Sequence, residues 1–454
     1  MAVAILPLAL LVGAATDLRR VETERARVQD ASDAAVLAAS RAYWITRGQS
    51  DARLVAARDA AGRTLFGNLT EGRGSGAGDT PPGLSAFDWE LGEPQNGQMV
   101  LSIRSRVPLA FGGLFRMEDF GFGTRSAATT GAMKNLEVAL VLDNTGSMGR
   151  LGKIGVLRTA TVGLVEQLEQ ASALNPDREN ALRVALVPFS MTVRLDQPET
   201  YQRLPWMTGS PTHGSYDGLF TEDRFAIHDR AGGWQGCVEA RPSSGGHDID
   251  EGVGGGDARY VPYTHPGGDP NQGCGLLPIQ RLTSDTAAVK SAAERMQATG
   301  NTNIPMGLIW GWHAIAPSGV GPFGAGAAYG RDDTVKAIVL MTDGLNEING
   351  GGGPNGGPYS GIGYPSQGRI AGLDAGTSNA GRSKALDARL VELCRAVKAK
   401  EVTVYAVRLL EGPMDVLSGC ASDPSKYFNV TRVEDLDAVF GQIAGDILAL
   451  RLSE

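Results

Sequence analysis

The stretch LEVALVLDNTGSMG, residues 136–149, decides the fold of this chain of 454 residues. Its first seven residues are mostly apolar, which is typical of a strand buried on both faces of a parallel sheet. Asp143 ends the run, and a turn containing Gly146 and Gly149 follows it. In doubly wound sheets, ligands bind beyond the carboxyl ends of the strands. The stretch therefore predicts both a central strand and the place of a functional site.

Three further apolar runs have the same character, and helical patterns alternate with them. The predicted strands are 136–142, 182–188, 336–341 and 402–407. The predicted helices are 151–172, 284–296 (capped by Ser284) and 383–399. A last predicted helix begins at a Thr431–Glu434 capping box and reaches about Leu452. This alternation predicts a doubly wound, mostly parallel α/β fold over residues 133–454. Two glycine-rich insertions, 200–280 and 345–382, interrupt it, and loops this long are usually functional or mobile.

The N-terminal residues 1–16, MAVAILPLALLVGAAT, carry no charge and predict a membrane anchor over residues 1–18. A cleaved signal peptide would need a basic segment before the apolar run, and a core helix would not be apolar on every face. As a helix the run is about 24 Å long, shorter than the ~30 Å hydrocarbon core of a bilayer. We therefore expect a further segment upstream, which would also explain why Arg19 and Arg20 follow the anchor on its non-cytoplasmic side.

Between the anchor and the α/β domain, the sequence predicts two smaller parts. Residues 19–66 are rich in Ala, Arg, Glu and Gln and predict one stalk helix. Residues 67–132 predict a small β-containing module, in which 68–98 is a loop, 98–107 alternates as a half-buried strand, and 119–130 can supply another strand.

Composition excludes some function classes. Fifty acidic residues against 42 basic ones give a net charge of −8, so the basic footprint of a nucleic-acid-binding protein is absent. The 62 glycines are about twice the usual share of ~7%, without a collagen period, and so belong to loops.

Oxygen-bearing side chains recur where the predicted strands and loops end. Asp143, Thr145 and Ser147 follow the first strand, Thr302 lies in TGNTNIPMG (299–307), and Asp343 lies in MTDG (341–344). Carboxylate and hydroxyl oxygens are hard donors that suit Mg²⁺ or Ca²⁺, with Mn²⁺ as a further candidate. The pattern predicts a divalent-metal site; a structural turn that merely caps the strand end is the alternative.

These three motifs resemble the metal-ion-dependent adhesion site of von Willebrand factor type A domains. The resemblance implies that the two hydroxyls of the first motif and the loop threonine contact the cation, that the aspartates act directly or through water, and that an acidic side chain of a partner completes the coordination. Asn301 departs from the family, where glycine is common before the threonine.

Both ends of the chain resemble TadE/TadG-like proteins of Flp/Tad pilus assembly, through AVAILPLALLVGAATD with the helix after it and through the segment from Cys394 to the terminal FGQIAGDILALRLS. The resemblance implies a non-enzymatic envelope protein, anchored in the inner membrane with its bulk periplasmic or extracellular. Its partner would be a pilus-assembly component or an adhesive ligand that offers a carboxylate. A pseudopilin-like structural subunit without metal is the alternative.

Enzymatic alternatives lack necessary residues. A P-loop would need one residue fewer between Gly146 and Gly152, and Ile154 stands where its Ser/Thr belongs. A hydrolase elbow at Ser147 would need a histidine after Asp343, and the last one is His313. His213, His228, His247 and His265 are spaced irregularly, which favours solvated loop residues over a zinc site.

The four cysteines predict two disulfides. Cys394 lies on the apolar face of the 383–399 helix, and Cys420 follows the 402–407 strand closely enough to lie on the same side of the sheet. Cys237 and Cys274 both lie in the 200–280 insertion, where a bridge would staple a loop that has too few apolar residues to build its own core. Four buried free thiols remain the alternative.

Overall fold

The computed structural model describes residues 2–46, 50–70, 80–93, 98–129, 134–172, 181–213, 219–242, 248–253, 258–350, 354–412 and 414–452. The chain divides into two compact units. The first is Met1–Met133, and the second comprises Lys134–Ala173 and Asn180–Ser453.

The first unit packs a helix pair on a three-stranded sheet. Its elements are α1 (Ala2–Ile45), α2 (Ser50–Leu69), β1 (Ala86–Leu91), β2 (Gln98–Pro108) and β3 (Asp119–Thr129). The strands are antiparallel in the order β1-β2-β3. Val28, Ala35, Leu65, Leu101 and Ile103 share one buried cluster, so the apolar stripes of both helices face the sheet.

Two expectations for this unit were wrong. Residues 19–66 do not form a single stalk helix but belong to two helices that pack against each other, because Ala-rich stripes are buried only when the chain turns back on itself. The predicted loop 68–98 contains β1, whose alternate residues are only half-buried and give a weak pattern. The predicted N-terminal helix is present, and in the part of the chain that the structure describes, no helix combines the length and apolarity needed to cross a bilayer.

The second unit alternates strands and helices. Its elements are β4 (Asn135–Asp143), α3 (Lys153–Ser172), β5 (Leu182–Phe189), α4 (Pro198–Tyr201), α5 (Arg224–Arg230), β6 (Gln280–Thr283), α6 (Thr286–Glu294), α7 (Ile304–Ile315), β7 (Thr334–Thr342), α8 (Asn379–Lys398), β8 (Thr403–Leu409), α9 (Met414–Cys420), β9 (Tyr427–Val430) and α10 (Leu436–Leu452).

Its sheet has the order β6-β5-β4-β7-β8-β9, with β4 and β7 at the centre. All neighbouring strands are parallel except β5 and β6, which are antiparallel. One core cluster lies on each face, so the four predicted strands and the doubly wound, mostly parallel architecture are confirmed. The carboxyl ends of β4 and β7 lie side by side, because Leu142 pairs with Met341.

Local details differ from expectation. Asp285, not Ser284, caps α6, which ends at Glu294 rather than Met296. The expected capping box at Thr431 is not formed, because a 3₁₀ turn at Val433–Asp435 precedes α10. The short edge strands β6 and β9, four residues each, were not predicted.

The 200–280 insertion contributes many side chains to a buried core, contrary to expectation. Trp206, Trp234, Val238 and Tyr260 join the main core cluster, and the aromatic rings supply the apolar area that a count of aliphatic residues misses. Both predicted disulfides are present, Cys237–Cys274 and Cys394–Cys420.

The histidines of this insertion were wrongly expected to be solvated. His213 and His228 are buried within it, and His265 is half-buried. His247 lies outside the described residues. The error follows from treating the insertion as a loop without a core.

Candidate functional site

Asp143, the last residue of β4, is fully buried at the carboxyl edge of the sheet. Its carboxylate accepts hydrogen bonds from the Thr145 backbone N–H at 2.7 Å and from the Thr342 hydroxyl at 2.6 Å. Burial, and next the charge of the nearby Asp343, raise the pKa of Asp143 to about 6, although these hydrogen bonds act to lower it. A second negative charge is therefore held close to Asp143 in a dry position.

The hydroxyls predicted as ligands connect the two aspartates. Thr145 Oγ1 lies 2.9 Å from Ser147 Oγ, which donates to Asp343 Oδ1 at 2.6 Å. A 3₁₀ turn, Gly146–Gly149, places Ser147 there, directly after β4. Four of the five predicted residues thus form one connected group of oxygen atoms.

The fifth, Thr302, is brought to the same edge by backbone pairing. Its N–H donates to the Glu347 carbonyl at 3.1 Å, and the Glu347 N–H donates back at 2.9 Å, which ties the 299–303 loop to the segment after β7. The Gly146 N–H also donates to the Gly300 carbonyl at 2.9 Å. The left-handed turn of this loop is at Gly300, φ +77°, and not at Asn301, so the departure from the family pattern costs no backbone strain.

Gly344 leaves a space between the hydroxyls. A Cβ placed on it would lie 3.8 Å from Ser147 Oγ and 3.9 Å from Thr302 Oγ1. The absent side chain therefore keeps open a cradle that two hydroxyls face and that Asp343, the preceding residue, adjoins. This room and the hard-oxygen donor set fit a divalent cation.

Lys153, at the start of α3, is a site residue that the sequence analysis did not assign. Its ammonium forms an ion pair with Asp343 Oδ2, and both side chains are almost fully buried. Its only signal in the sequence was the Gly152-Lys153 pair of the rejected P-loop pattern. The lysine balances one of the two carboxylates and leaves the group with an excess negative charge.

Two more buried polar atoms adjoin the site. Among the described residues, Ser190 Oγ and Asn144 Oδ1 have no hydrogen-bond partner. A Cβ on Gly300 would lie 3.1 Å from Ser190 Oγ, so this hydroxyl faces the loop that carries Thr302. The described residues contain no group of three or more His, Cys, Asp or Glu suited to a metal, so a cation here would depend on hydroxyls as well as carboxylates.

The N-terminal segment has a recognisable family. Residues 1–43 match the model of the family described as putative Flp pilus-assembly TadE/G-like. Over these residues the chain is similar to that family. The resemblance of the N-terminus seen in the sequence is thereby confirmed, and no curated protein sequence matches the chain.

Several solved structures are similar to parts of the chain. The pilus adhesin SpaC from Lactobacillus rhamnosus GG is 14% identical, with a TM-score of 0.35, over 80% of this chain and 34% of its own. The von Willebrand factor domain of the type V pili tip protein Mfa5 from Porphyromonas gingivalis is 13% identical, with a TM-score of 0.37, over 71% of this chain and 98% of its own.

Proximal thread matrix protein 1 from the mussel byssus, with a zinc-occupied MIDAS motif, is 13% identical, with a TM-score of 0.33, over 70% of this chain and 48% of its own. This chain thus spans about a third of the length of SpaC and about half that of the byssus protein. Because these TM-scores are low, the fold of the second unit is defined by its own strand order and not by these similarities.

Proposed function

We propose that the second unit is a von Willebrand A-type domain that binds a carboxylate of a protein partner through a divalent cation, without catalysing a reaction. The observation that carries the proposal is the convergence of Asp143, Thr145, Ser147, Thr302 and Asp343 around the space at Gly344. Thr145, Ser147 and Thr302 would hold the cation, and the two aspartates would hold it directly or through water.

The charges of the site support this ligand class. Asp143, Asp343 and Lys153 together carry one excess negative charge, which attracts a cation to a buried position. A bound divalent cation supplies Lewis-acid charge and a coordination position for an external oxygen. The formal charge of the site with the cation bound is then +1, so one carboxylate of a partner neutralises it.

The TadE/G-like segment and the two disulfides support a place in the cell envelope. Disulfides persist in oxidising compartments and are rare in the cytosol. We therefore propose that both units act outside the cytoplasm, in Flp/Tad-type pilus assembly or adhesion.

An exposed apolar surface on the first unit supports attachment to a membrane. Val12, Leu18, Phe111, Met117 and Phe120 are each 42–62% exposed, and they are five of the eleven large apolar side chains exposed in the described part of the chain. Monomeric soluble proteins rarely gather exposed apolar side chains in this way.

Asp17, the first charged residue of the chain, fixes this apolar surface. Its buried carboxylate accepts hydrogen bonds from the backbone N–H groups of Ala110 at 2.8 Å and Phe111 at 2.9 Å. The Phe111 ring packs on Gly13, where a Cβ would be only 2.9 Å away. The loop after β2 therefore packs beside the uncharged N-terminal run and enlarges its apolar surface. Contact with the interface of a membrane requires such an apolar surface.

Isothermal titration with Mg²⁺ tests the metal site. We expect one cation per chain in the full-length protein and at least about a hundredfold weaker binding in Thr302→Val combined with Asp143→Asn, since two ligands are removed. Thr161→Val is the matched control, because this buried hydroxyl donates to the Leu157 carbonyl within α3, away from the site. Unchanged affinity in the double variant would overturn the site, and no binding in the native protein would favour a structural subunit without metal.

Vesicle flotation tests the membrane surface. With phosphatidylcholine–phosphatidylglycerol vesicles, Phe111→Ser combined with Met117→Ser is expected to reduce binding, because two exposed apolar side chains of this surface are removed. Leu151→Ser, which changes a 77% exposed leucine in the second unit, is expected to bind as the native protein does. Equal flotation of both variants would contradict the assignment of this surface.

A further inference from the structure

A cavity of about 520 Å³ lies between the two insertions of the second unit. Segments 263–273 and 354–364 line it, together with Met191, which follows β5. Its size falls within the range of about 300–1,000 Å³ that is typical of small-ligand sites. Neither the strand pattern nor the oxygen-bearing motifs account for it.

A buried ionic cluster fixes the main aromatic wall of the cavity. The Tyr359 hydroxyl donates to Glu239, which also accepts hydrogen bonds from Arg224 at 3.1 Å and Arg369 at 2.9 Å. The charged side chains of this cluster are at most 1% exposed. Burial and the Glu239 carboxylate hold the pKa of Tyr359 well above its usual value, so the phenol remains a donor. Tyr359 is thus oriented before any ligand arrives.

A disulfide fixes the opposite wall. The Tyr263 N–H donates to the Cys237 carbonyl at 2.8 Å, and Cys237 is bonded to Cys274, beside the lining residue Gly273. Long insertions held by a cross-link and a buried ionic cluster lose little conformational freedom on binding. Such preorganisation is characteristic of binding sites rather than of connecting loops.

The rings form a continuous aromatic surface around Tyr359. Its ring centroid lies 5.0 Å from Tyr364, 5.7 Å from Tyr263 and 5.9 Å from His265. Gln272, Asn355, Tyr263 and Tyr364 also line the cavity and bring amide and phenol groups to it. The lining therefore combines aromatic faces with uncharged hydrogen-bonding groups.

The chemistry of the lining selects the ligand class. None of the described residues that line the cavity is Asp, Glu, Lys or Arg, so neither a cation nor an anion finds a complementary charge among them. A wholly apolar ligand would leave the amides and hydroxyls desolvated without partners, which is costly. A sugar ring satisfies both parts of the lining, because its C–H face stacks on an aromatic ring while its hydroxyls exchange hydrogen bonds with amides and phenols.

From these features we propose that the cavity binds a neutral saccharide. It is separate from the candidate metal site, although both lie at the carboxyl edge of the sheet, where Met191 lines the cavity and the neighbouring Ser190 faces Gly300. The proposal requires no metal and does not depend on the function proposed above.

Ligand-observed saturation-transfer NMR on the full chain tests this proposal. The probes are maltotriose, lactose and tri-N-acetylchitotriose, with a proline decapeptide and tetramethylammonium as competitors of other chemistry, all at millimolar concentration. At least one saccharide is expected to bind equally with Mg²⁺ and with EDTA. Tyr364→Ala is expected to weaken that binding about tenfold or more, as loss of an aromatic contact does, and Asn355→Ala is expected to weaken it less.

Two controls separate a binding role from a structural one. Tyr364→Phe keeps the ring and should retain most of the affinity, while Tyr427→Ala removes a half-buried tyrosine of β9, outside the cavity, and should leave it unchanged. The proposal would be overturned if only the decapeptide or tetramethylammonium bound, or if none of the three saccharides gave a saturation-transfer signal. Saccharide binding that is unchanged in Tyr364→Ala would also overturn it. Loss of Mg²⁺ binding in the metal-site variants with saccharide binding intact would separate the two sites.

Discussion

Two buried groups of charged side chains in the second unit balance their charges in opposite ways. At the carboxyl edge of the sheet, Asp143 lies close to Asp343, and the ammonium of Lys153 pairs with Asp343. In the insertions, the single carboxylate of Glu239 contacts two guanidinium groups, those of Arg224 and Arg369, which are distant in sequence and converge on it in space.

 The first group has two carboxylates and one ammonium, whereas in the second one carboxylate contacts two guanidinium groups.

The difference teaches what each group is suited to do. The edge group has a hydroxyl-lined space beside it at Gly344, so a cation can supply the missing charge. The insertion group has no such deficit, and its hydrogen bonds orient Tyr359 instead. Burial of charge alone therefore does not indicate a candidate metal site; a second carboxylate without its own ammonium and an adjoining space do.

Removing the insertion's cross-link is expected to have the largest effect on stability. Cys237→Ser combined with Cys274→Ser opens a bridge between residues 37 apart, which on the chain-entropy model lowers the free energy of unfolding by about 4 kcal/mol. Urea unfolding measures this loss. Mg²⁺ affinity should be unchanged where the protein remains folded, and a parallel loss of affinity would show that the two regions are not independent.

Lowering the pH is expected to reduce the stability of the protein through His228, which lies in the insertion. Burial lowers the pKa of His228 to about 4, so between pH 6.5 and 4 the unfolded chain binds the extra proton and the folded protein loses up to about 3 kcal/mol as the pH falls. His228→Gln should remove this part of the pH dependence in urea-unfolding curves. His265→Gln, at a half-buried histidine, is the control and should retain it.

Neutralising Asp143 is expected to stabilise the protein in the absence of metal. Because its pKa is raised to about 6, the ionised carboxylate is unfavourable in the folded state above that pH, and Asp143→Asn should raise the free energy of unfolding at pH 7.5 in EDTA by about 2 kcal/mol. The same variant should lose the stabilisation that Mg²⁺ gives the native protein. Destabilisation in EDTA would instead assign Asp143 a structural role.

Replacing Lys153 is expected to change the Mg²⁺ affinity, and this is the smallest of the four expected effects. Lys153→Met keeps the length of the side chain but removes the ammonium from Asp343. The ammonium then no longer competes with Mg²⁺ for Asp343, so Mg²⁺ affinity should rise about tenfold. Isothermal titration measures the change. Weaker Mg²⁺ binding would mean that the lysine positions Asp343 for the cation rather than competing with it.

The sequence predicted most of the sheet and the oxygen-bearing members of the edge group. Apolar runs such as 136–142 are local patterns, and Asp143, Thr145 and Ser147 follow one of them directly. The disulfide partners also followed from sequence, because the cysteines of each pair are only 37 and 26 residues apart. The metal role of the edge group is a prediction that titration will test.

Only the tertiary structure decided how distant segments meet. Lys153 contacts Asp343, 190 residues further along the chain, and Glu239 meets Arg369, 130 residues away. Such pairs leave no periodic signal, because each side chain is determined by what the fold places opposite it and not by its neighbours in sequence. The sequence by itself therefore determined the strands, the order of the oxygen-bearing motifs and the cysteine pairs, whereas the balance of buried charge and the aromatic cavity arose only when the insertions packed together.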